Sequence, residues 1–342
     1  MGTNNTPDAF ELIDSLLGGG FDPFWRWEQI QLHVKAALRQ QVAGLKAGGT
    51  RRDQLRWMQI TEVTDPDFVP NIGRLAADID EVSGRATDAS IFAMIQLGRT
   101  GCPINHSMRT AFVATLIGRS LGMTDAERKV LGSAALTMNI AMLDLQETLH
   151  RQDTPLTDAQ REAIKAHPAK GKEQLESFGV RNPDWLRAVL EHHEVAGGKG
   201  YPSALEKVFP LAEIIQYCDT YCAMTRPRAK RKALHSNKAA YKLFLGAKGG
   251  ARIPALILKQ LGIYPPGSMV KLANGEIAIV VNRSDNPKAP MVYALCDRIG
   301  LGYPSPIQRD TSISEFGVTD VVSTDDVKLE VKPAKLFGYD NK

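Results

Sequence analysis

The chain has 342 residues, 43% of them hydrophobic, which is apolar material for two or three modest domains at ~150 residues each. Charged residues make up 23%, with 42 Lys and Arg against 38 Asp and Glu, so the composition excludes a long disordered chain and a globally polycationic nucleic-acid binder. The net charge of +4 still suits a small anionic ligand. The most apolar long stretch, Val130 to Leu143, is too short to span a bilayer and contains Asn139, and the N-terminus lacks a basic segment followed by an apolar one. The expectation is a cytoplasmic protein with no membrane partner. Cys102, Cys218, Cys222 and Cys296 are too few and too irregular for a disulfide framework or a zinc knuckle, and read as reduced core residues.

Residues 1–87 read as a helical region. From Phe24 to Leu45 the apolar residues Trp27, Ile30, Val34, Leu38, Val42 and Leu45 recur at three- and four-residue steps, and Ala47-Gly48-Gly49 then ends the helix. A second helical stretch, Asn71 to Val82, carries no ligand-like cluster and reads as packing or dimerisation surface. Residues 88–262 are helical almost throughout, with segments near 88–98, 106–121, 125–147, 157–177, 181–195, 210–225, 235–246 and 251–261. The fold class expected is therefore mainly α, a helical bundle rather than an α/β sheet. Residues 263–342 form a small β-rich appendage: Met269 to Ala273 meets Glu276 to Val281 across Asn274-Gly275, a strong short hairpin signal, with further strands near 291–297 and 327–332.

Six of the seven histidines, His106, His150, His167, His192, His193 and His235, fall within the bundle. Histidine is the commonest metal ligand and packing does not require it. The dense point is Glu191-His192-His193-Glu194, which runs into Val-Ala-Gly-Gly-Lys-Gly-Tyr-Pro. Adjacent helical histidines point ~100° apart, so both reach one ion only if it sits beside the helix end. The other reading of the pair is a solvated helix C-terminus favoured by the dipole.

The wider pattern adds to this. His106-Ser-Met-Arg-Thr-Ala opens a helix, His167-Pro168-Ala-Lys-Gly closes one, His192-His193-Glu194 leads to Gly200-Tyr201-Pro202, and Asp219-Thr-Tyr-Cys-Ala follows. In order and spacing, residues 88 to 262 resemble the HD-GYP family of metal-dependent phosphohydrolases. The Gly262-Ile-Tyr-Pro-Pro-Gly-Ser-Met-Val stretch is similar to the C-terminal extension of many members. The resemblance implies an HD-type helical bundle that holds two or three iron- or manganese-type ions and hydrolyses the bacterial second messenger cyclic di-GMP. It places His106, His167, His192, His193 and Asp219 on metal-ligand positions. Paired cations in such a site activate a bridging water and clamp a phosphoryl oxygen.

The departures concentrate at one place. Where the family has its His-Asp pair and a Lys three residues later, this chain has Met138, Asn139 and Met142. A neutral amide offers one weak oxygen where a carboxylate bridges two cations, and a thioether is a poor ligand for a hard, oxygen-bridged centre. Gly197 stands where many members have Asp, and Cys102 where some have an acid one turn before the first His. The alternative for Met138, Asn139 and Met142 is ordinary helix packing beside Ala135, Leu136, Ile140 and Leu143. His167, His192 and His193 then remain as a three-histidine site for one transition ion: iron, manganese or zinc.

Five cations crowd Arg226-Pro-Arg228-Ala-Lys230-Arg231-Lys232, and Arg228 and Arg231 lie near positions where relatives contact substrate phosphates. The alternative is a solvated basic helix end; nucleic acid is disfavoured because no aromatics interleave. Gly200, Tyr201 and Pro202 shape the loop lining the pocket. Cys218, Cys222, Trp185 and Phe178 read as core. The reading that accommodates both the losses and the retained residues is a degenerate HD-GYP signalling regulator that binds a guanine nucleotide and protein partners, with its N-terminal helices and β appendage as surfaces for a partner or a homodimer. The alternatives are an active single-metal cyclic di-GMP phosphodiesterase and a scaffold without chemistry.

Overall fold

The computed structural model describes residues 21–45, 68–97, 102–227, 233–247, 251–323 and 332–339. The protein is mainly helical with a five-stranded antiparallel sheet near its C-terminus. The helices are α1 (Pro23–Leu45), α2 (Phe68–Arg85), α3 (Thr87–Leu97), α4 (Pro103–Ser120), α5 (Asp125–Thr137), α6 (Leu143–Arg151), α7 (Asp158–Ser177), α8 (Pro183–Glu191), α9 (Pro210–Met224), α10 (Ser236–Gly246) and α11 (Arg252–Leu261). Among the described residues no helix is long and apolar enough to cross a membrane.

Local sequence sets the helix starts. Asp22 accepts from the Phe24 amide ahead of Pro23 in the first turn of α1. Thr124 with Glu127, and Thr157 with Gln160, form reciprocal capping boxes on α5 and α7. Asn182 accepts from the Trp185 amide, and Pro183 opens α8. α4 is buried along Pro103 to Gly118 and is the centre of the bundle, mostly apolar or small residues with Asn105, His106 and Arg109 as its large buried polar side chains. α1 and α2 pack into the same core, through Trp27, Ile30, Val34 and Leu38 and through Ile72, Leu75 and Ile79.

Three helix expectations are corrected. α2 starts at Phe68 rather than Asn71, because Pro70 falls in the first turn, where its missing amide costs nothing. Pro168 does not close a helix but lies inside α7. The expected helix over 125–147 is broken: α5 stops at Thr137, a turn at Met138 and Asn139 leads into one 3₁₀ turn over Ile140–Met142, and α6 begins at Leu143.

The strands are β1 (Met269–Leu272), β2 (Ile277–Asn282), β3 (Met291–Cys296), β4 (Gly302–Asp310) and β5 (Val318–Val322), in the order β4-β3-β2-β1-β5. In the first hairpin Ala273, Asn274 and Gly275 form a three-residue loop in which only Gly275 is left-handed, so Asn274-Gly275 marks the hairpin without making a two-residue turn. β4 and β5 were not expected. Both are edge strands, and β4 carries Pro304 and Pro306, which weaken the strand signal. The expected strand at 327–332 lies outside the described residues except for Lys332. One sheet face packs Met269, Ile279, Val281 and Leu295 on Phe92 of α3, and the other buries Val270, Val280 and Val292 beneath Tyr303 and Phe316.

A buried ion pair braces the sheet. Arg309 donates to both Glu276 oxygens, at 2.7 and 2.9 Å, and the Tyr303 hydroxyl donates to the same carboxylate at 2.7 Å. The Arg309 fork holds the Glu276 carboxyl down to about 2, from an ordinary 4.5. Because the folded value is depressed, this stabilisation is complete above 4.5 and is lost as pH falls from there toward 2. Glu276→Gln should cost about 2 kcal/mol at neutral pH and flatten the acid limb of a pH series of thermal melts; an unchanged limb would show that the pair does not brace the sheet.

Candidate metal centre

The site is built where two helices leave backbone carbonyls without their usual partners. In α7, Pro168 has no amide hydrogen, so the Ile164 carbonyl four residues earlier loses its helical donor. The imidazole of His167 takes that place, with Nδ1 at 2.5 Å from Ile164 O. α8 ends at Glu191, and the Val189 carbonyl in its last turn receives His192 Nδ1 at 2.6 Å. A carbonyl can only accept, so both histidines carry their hydrogen on Nδ1 and present a bare Nε2. Those two Nε2 atoms face each other at 3.1 Å. Two ligands about 2.1 Å from one ion, at tetrahedral to right angles, stand roughly 3.0–3.4 Å apart, the spacing of this pair.

Burial pushes His167 down to about 4 and His192 well below its ordinary value, and the neighbouring imidazoles add to both shifts. At neutral pH no second proton relieves the two opposed lone pairs. The donor set therefore fits a cation. His193 completes it: its ring lies 4.2 Å from that of His192 and 5.0 Å from that of His167, and one ligand atom of each residue lies within 4.8 Å of the other two. His192 caps the end of α8, so the adjacent histidines converge beside a helix end as the sequence requires.

His106 of α4 and Asp219 of α9 stand next to this group but pair with each other, Nε2 to Oδ1 at 2.6 Å. Burial alone would raise the Asp219 carboxyl; the His106 hydrogen bond and the surrounding imidazoles outweigh it and hold the group below the usual carboxylate range. The buried carboxylate is ionised, and its charge acts on both His192 and His193. Of the five positions singled out from sequence, three thus converge on one point and two form an adjoining hydrogen-bonded pair.

Glu191 and Glu194 were not singled out, yet both carboxylates anchor the histidine segment. Glu191 accepts from Arg187 at 2.7 Å and from the Phe209 amide at 2.8 Å. Glu194, fully buried, accepts from the amides of Ser203 and Leu205 at 2.5 and 3.0 Å and so ties the loop back onto the helix end. The available signal was an acid on either side of a histidine pair. In that loop Tyr201 stacks on His193 at 4.7 Å. A Cβ on Gly200 would lie 2.3 Å from Val195 N and 2.4 Å from Glu194 Cα, both backbone atoms that cannot step aside. Gly200→Ala should therefore lower stability by about 1–3 kcal/mol and move Tyr201 off His193, read by denaturant midpoint and histidine chemical shifts; an unchanged midpoint would mean the loop is free to open.

Met138, Asn139 and Met142 are all buried. Met138 joins the main core, as the packing reading anticipates, but on irregular backbone rather than a continuous helix. A Cβ on Gly171 would lie 3.8 Å from Met138 O and 3.9 Å from Ile140 Cγ2. Gly171 is one turn beyond His167, so the segment packs on the face of α7 that carries that histidine. Thr137, the last residue of α5, accepts from the Trp185 indole of α8 at 2.8 Å and so ties the end of α5 to α8. Arg228 and Arg231 lie outside the described residues.

Residues 93–249 match the HD domain family. The match covers a little under half of the chain and falls on the helical bundle that carries the three histidines. The chain is similar to a cyclic di-GMP phosphodiesterase of Pseudomonas aeruginosa, 25% identical over 69% of this chain and 56% of that protein. A cyclic di-GMP phosphodiesterase of Borreliella burgdorferi is 26% identical over 55% of this chain and 51% of its own length. The chain spans about half the length of these curated relatives. A solved HDG"Y"P protein from Bdellovibrio bacteriovorus is 16% identical, with TM-score 0.47 over 58% of this chain and 64% of that one.

Proposed function

We propose that this chain is a cyclic-dinucleotide signalling protein of HD-GYP type whose metal site is reduced to its three-histidine half, so that it binds a guanine dinucleotide, hydrolyses it weakly or not at all, and regulates through protein partners. The observation that carries this reading is the convergence of His167, His192 and His193 beside a buried segment with Met138 and Asn139 where the family has a His-Asp pair. The named activity of the relatives supports the ligand class.

In this reading His167, His192 and His193 hold one ion of iron, manganese or zinc. Such an ion, when bound, supplies Lewis acidity toward a phosphoryl oxygen. The chain's own groups do the rest. Ile164 and Val189 carbonyls fix the imidazole tautomers, Asp219 keeps a negative charge beside them, and Tyr201 with Gly200 and Pro202 walls the nucleotide side. Arg228 and Arg231 contribute guanidinium forks to the phosphates.

The retained His106–Asp219 pair favours one second reading, an active single-metal phosphodiesterase. Incubating iron- and manganese-loaded protein with cyclic di-GMP separates the two. The proposal expects binding by calorimetry without linear dinucleotide or GMP, and binding weakened at least tenfold by Arg228→Ala with Arg231→Ala. Product that disappears in His192→Ala and Asp219→Ala controls would establish the second reading, and absence of any binding would overturn both.

A further inference from the structure

The α10 helix is apolar on two opposite sides. Ala239, Ala240 and Leu243 are buried in the bundle core. Tyr241, Phe244 and Leu245 are 60%, 44% and 65% exposed and stand at i, i+3 and i+4, so they meet in one stripe on the outer side. Exposed apolar residues scattered singly need no explanation, but three large ones grouped on an eleven-residue helix point to a docking surface. Exposed Lys238 and Lys242 border the stripe. Their setting carries one sign of charge: from Thr220 to Gly275 the chain has eleven Lys and Arg and no acid, whereas the remaining residues have 31 Lys and Arg against 38 Asp and Glu. The matching occupant is therefore anionic as well as apolar. A second α10 does not qualify, because Lys would face Lys.

The chain itself carries such an occupant, in a segment outside the described residues. Asp8, Glu11 and Asp14 recur at three-residue steps, and no Lys or Arg stands before Arg26. Leu12, Ile13, Leu16 and Leu17 recur at three- and four-residue steps. At helical spacing the acids fall on one side and these apolar residues on the other, a pattern complementary to the α10 stripe and its lysines. Only Gly18-Gly19-Gly20, about 10 Å when extended, separate the segment from Phe21, which lies under the Arg85 guanidinium at the end of α2. α10 packs instead on α9 and α11, which directs the segment to a second molecule.

We propose that residues 8–17 of one chain dock on the Tyr241, Phe244 and Leu245 face of a second copy, with the acids toward Lys238 and Lys242. The contact is reciprocal, so a two-fold dimer makes it twice. It is independent of the metal centre.

Sedimentation equilibrium of the full chain tests this by charge exchange. The native chain should dimerise, and Glu11→Lys with Asp14→Lys, or Lys238→Glu with Lys242→Glu, should each weaken the dimer at least tenfold, since like charges then face each other. An equimolar mixture of the two double variants should dimerise as the native chain does, because both reciprocal contacts regain opposite charges. If the α10 double variant does not fold, Leu245→Ser reads that face instead, with the same tenfold loss expected. Variants that dimerise undiminished, or a mixture that stays monomeric because the segment docks within its own chain, would overturn the proposal. So would a monomeric native chain, and its flotation with phosphatidylglycerol vesicles would assign the α10 face to lipid.

Discussion

If His167, His192 and His193 hold an ion as proposed, His192→Ala should abolish tight transition-metal binding while leaving the helical content intact. The imidazole is held by the Val189 carbonyl and points Nε2 at that of His167, 3.1 Å away, so it supplies one of the two best-oriented donors. Losing an outer partner that merely orients a ligand costs about 10–100-fold in metal affinity, and loss of the ligand itself should exceed that range. The main core of α1, α2, α4 and α5 does not depend on this ring, which is why the fold should survive. Elemental analysis after dialysis, alongside circular dichroism, reads both halves. Metal retained at native stoichiometry would place the ion elsewhere.

The second large effect is a gain. Met138→His together with Asn139→Asp restores the residue types that the HD-GYP resemblance expects. Asn139 offers a neutral amide where a carboxylate would bring a full charge and a second oxygen. The segment already lies against α7 near Gly171, one helical turn from His167. Placing a polar ring at the fully buried Met138 position costs on the order of 1–3 kcal/mol before any ion binds. The expected result is one additional ion per chain and hydrolysis of cyclic di-GMP raised at least a hundredfold, about 2.7 kcal/mol of barrier. A stable double variant with unchanged metal content would remove these two positions from the explanation of the reduced site.

The helical class and the β appendage were legible because apolar periodicity, capping residues and Asn274-Gly275 are local signals. The break at Met138 was not, since Ala135 to Leu143 contains no Gly or Pro and carries an apolar periodicity compatible with one helix. Pro168 was read as a stop because the sequence does not reveal that a neighbouring imidazole satisfies the carbonyl it orphans. The identities and order of His167, His192 and His193 were visible in the chain. Their orientation was not, because it depends on the carbonyls of Ile164 and Val189. The anchoring by Glu191 and Glu194 was likewise hidden, since their partners are backbone amides up to 18 residues away.

The central claim is that only the three-histidine half of the site holds metal, and counting iron, manganese and zinc per chain in anaerobically purified native protein tests it most directly. The structure of the donor set predicts at most about one tightly bound ion, held by Nε2 atoms whose rings are fixed through Nδ1. Two or three ions per chain would contradict it, and would mean that Asn139 and the His106–Asp219 pair sustain a full multi-metal centre.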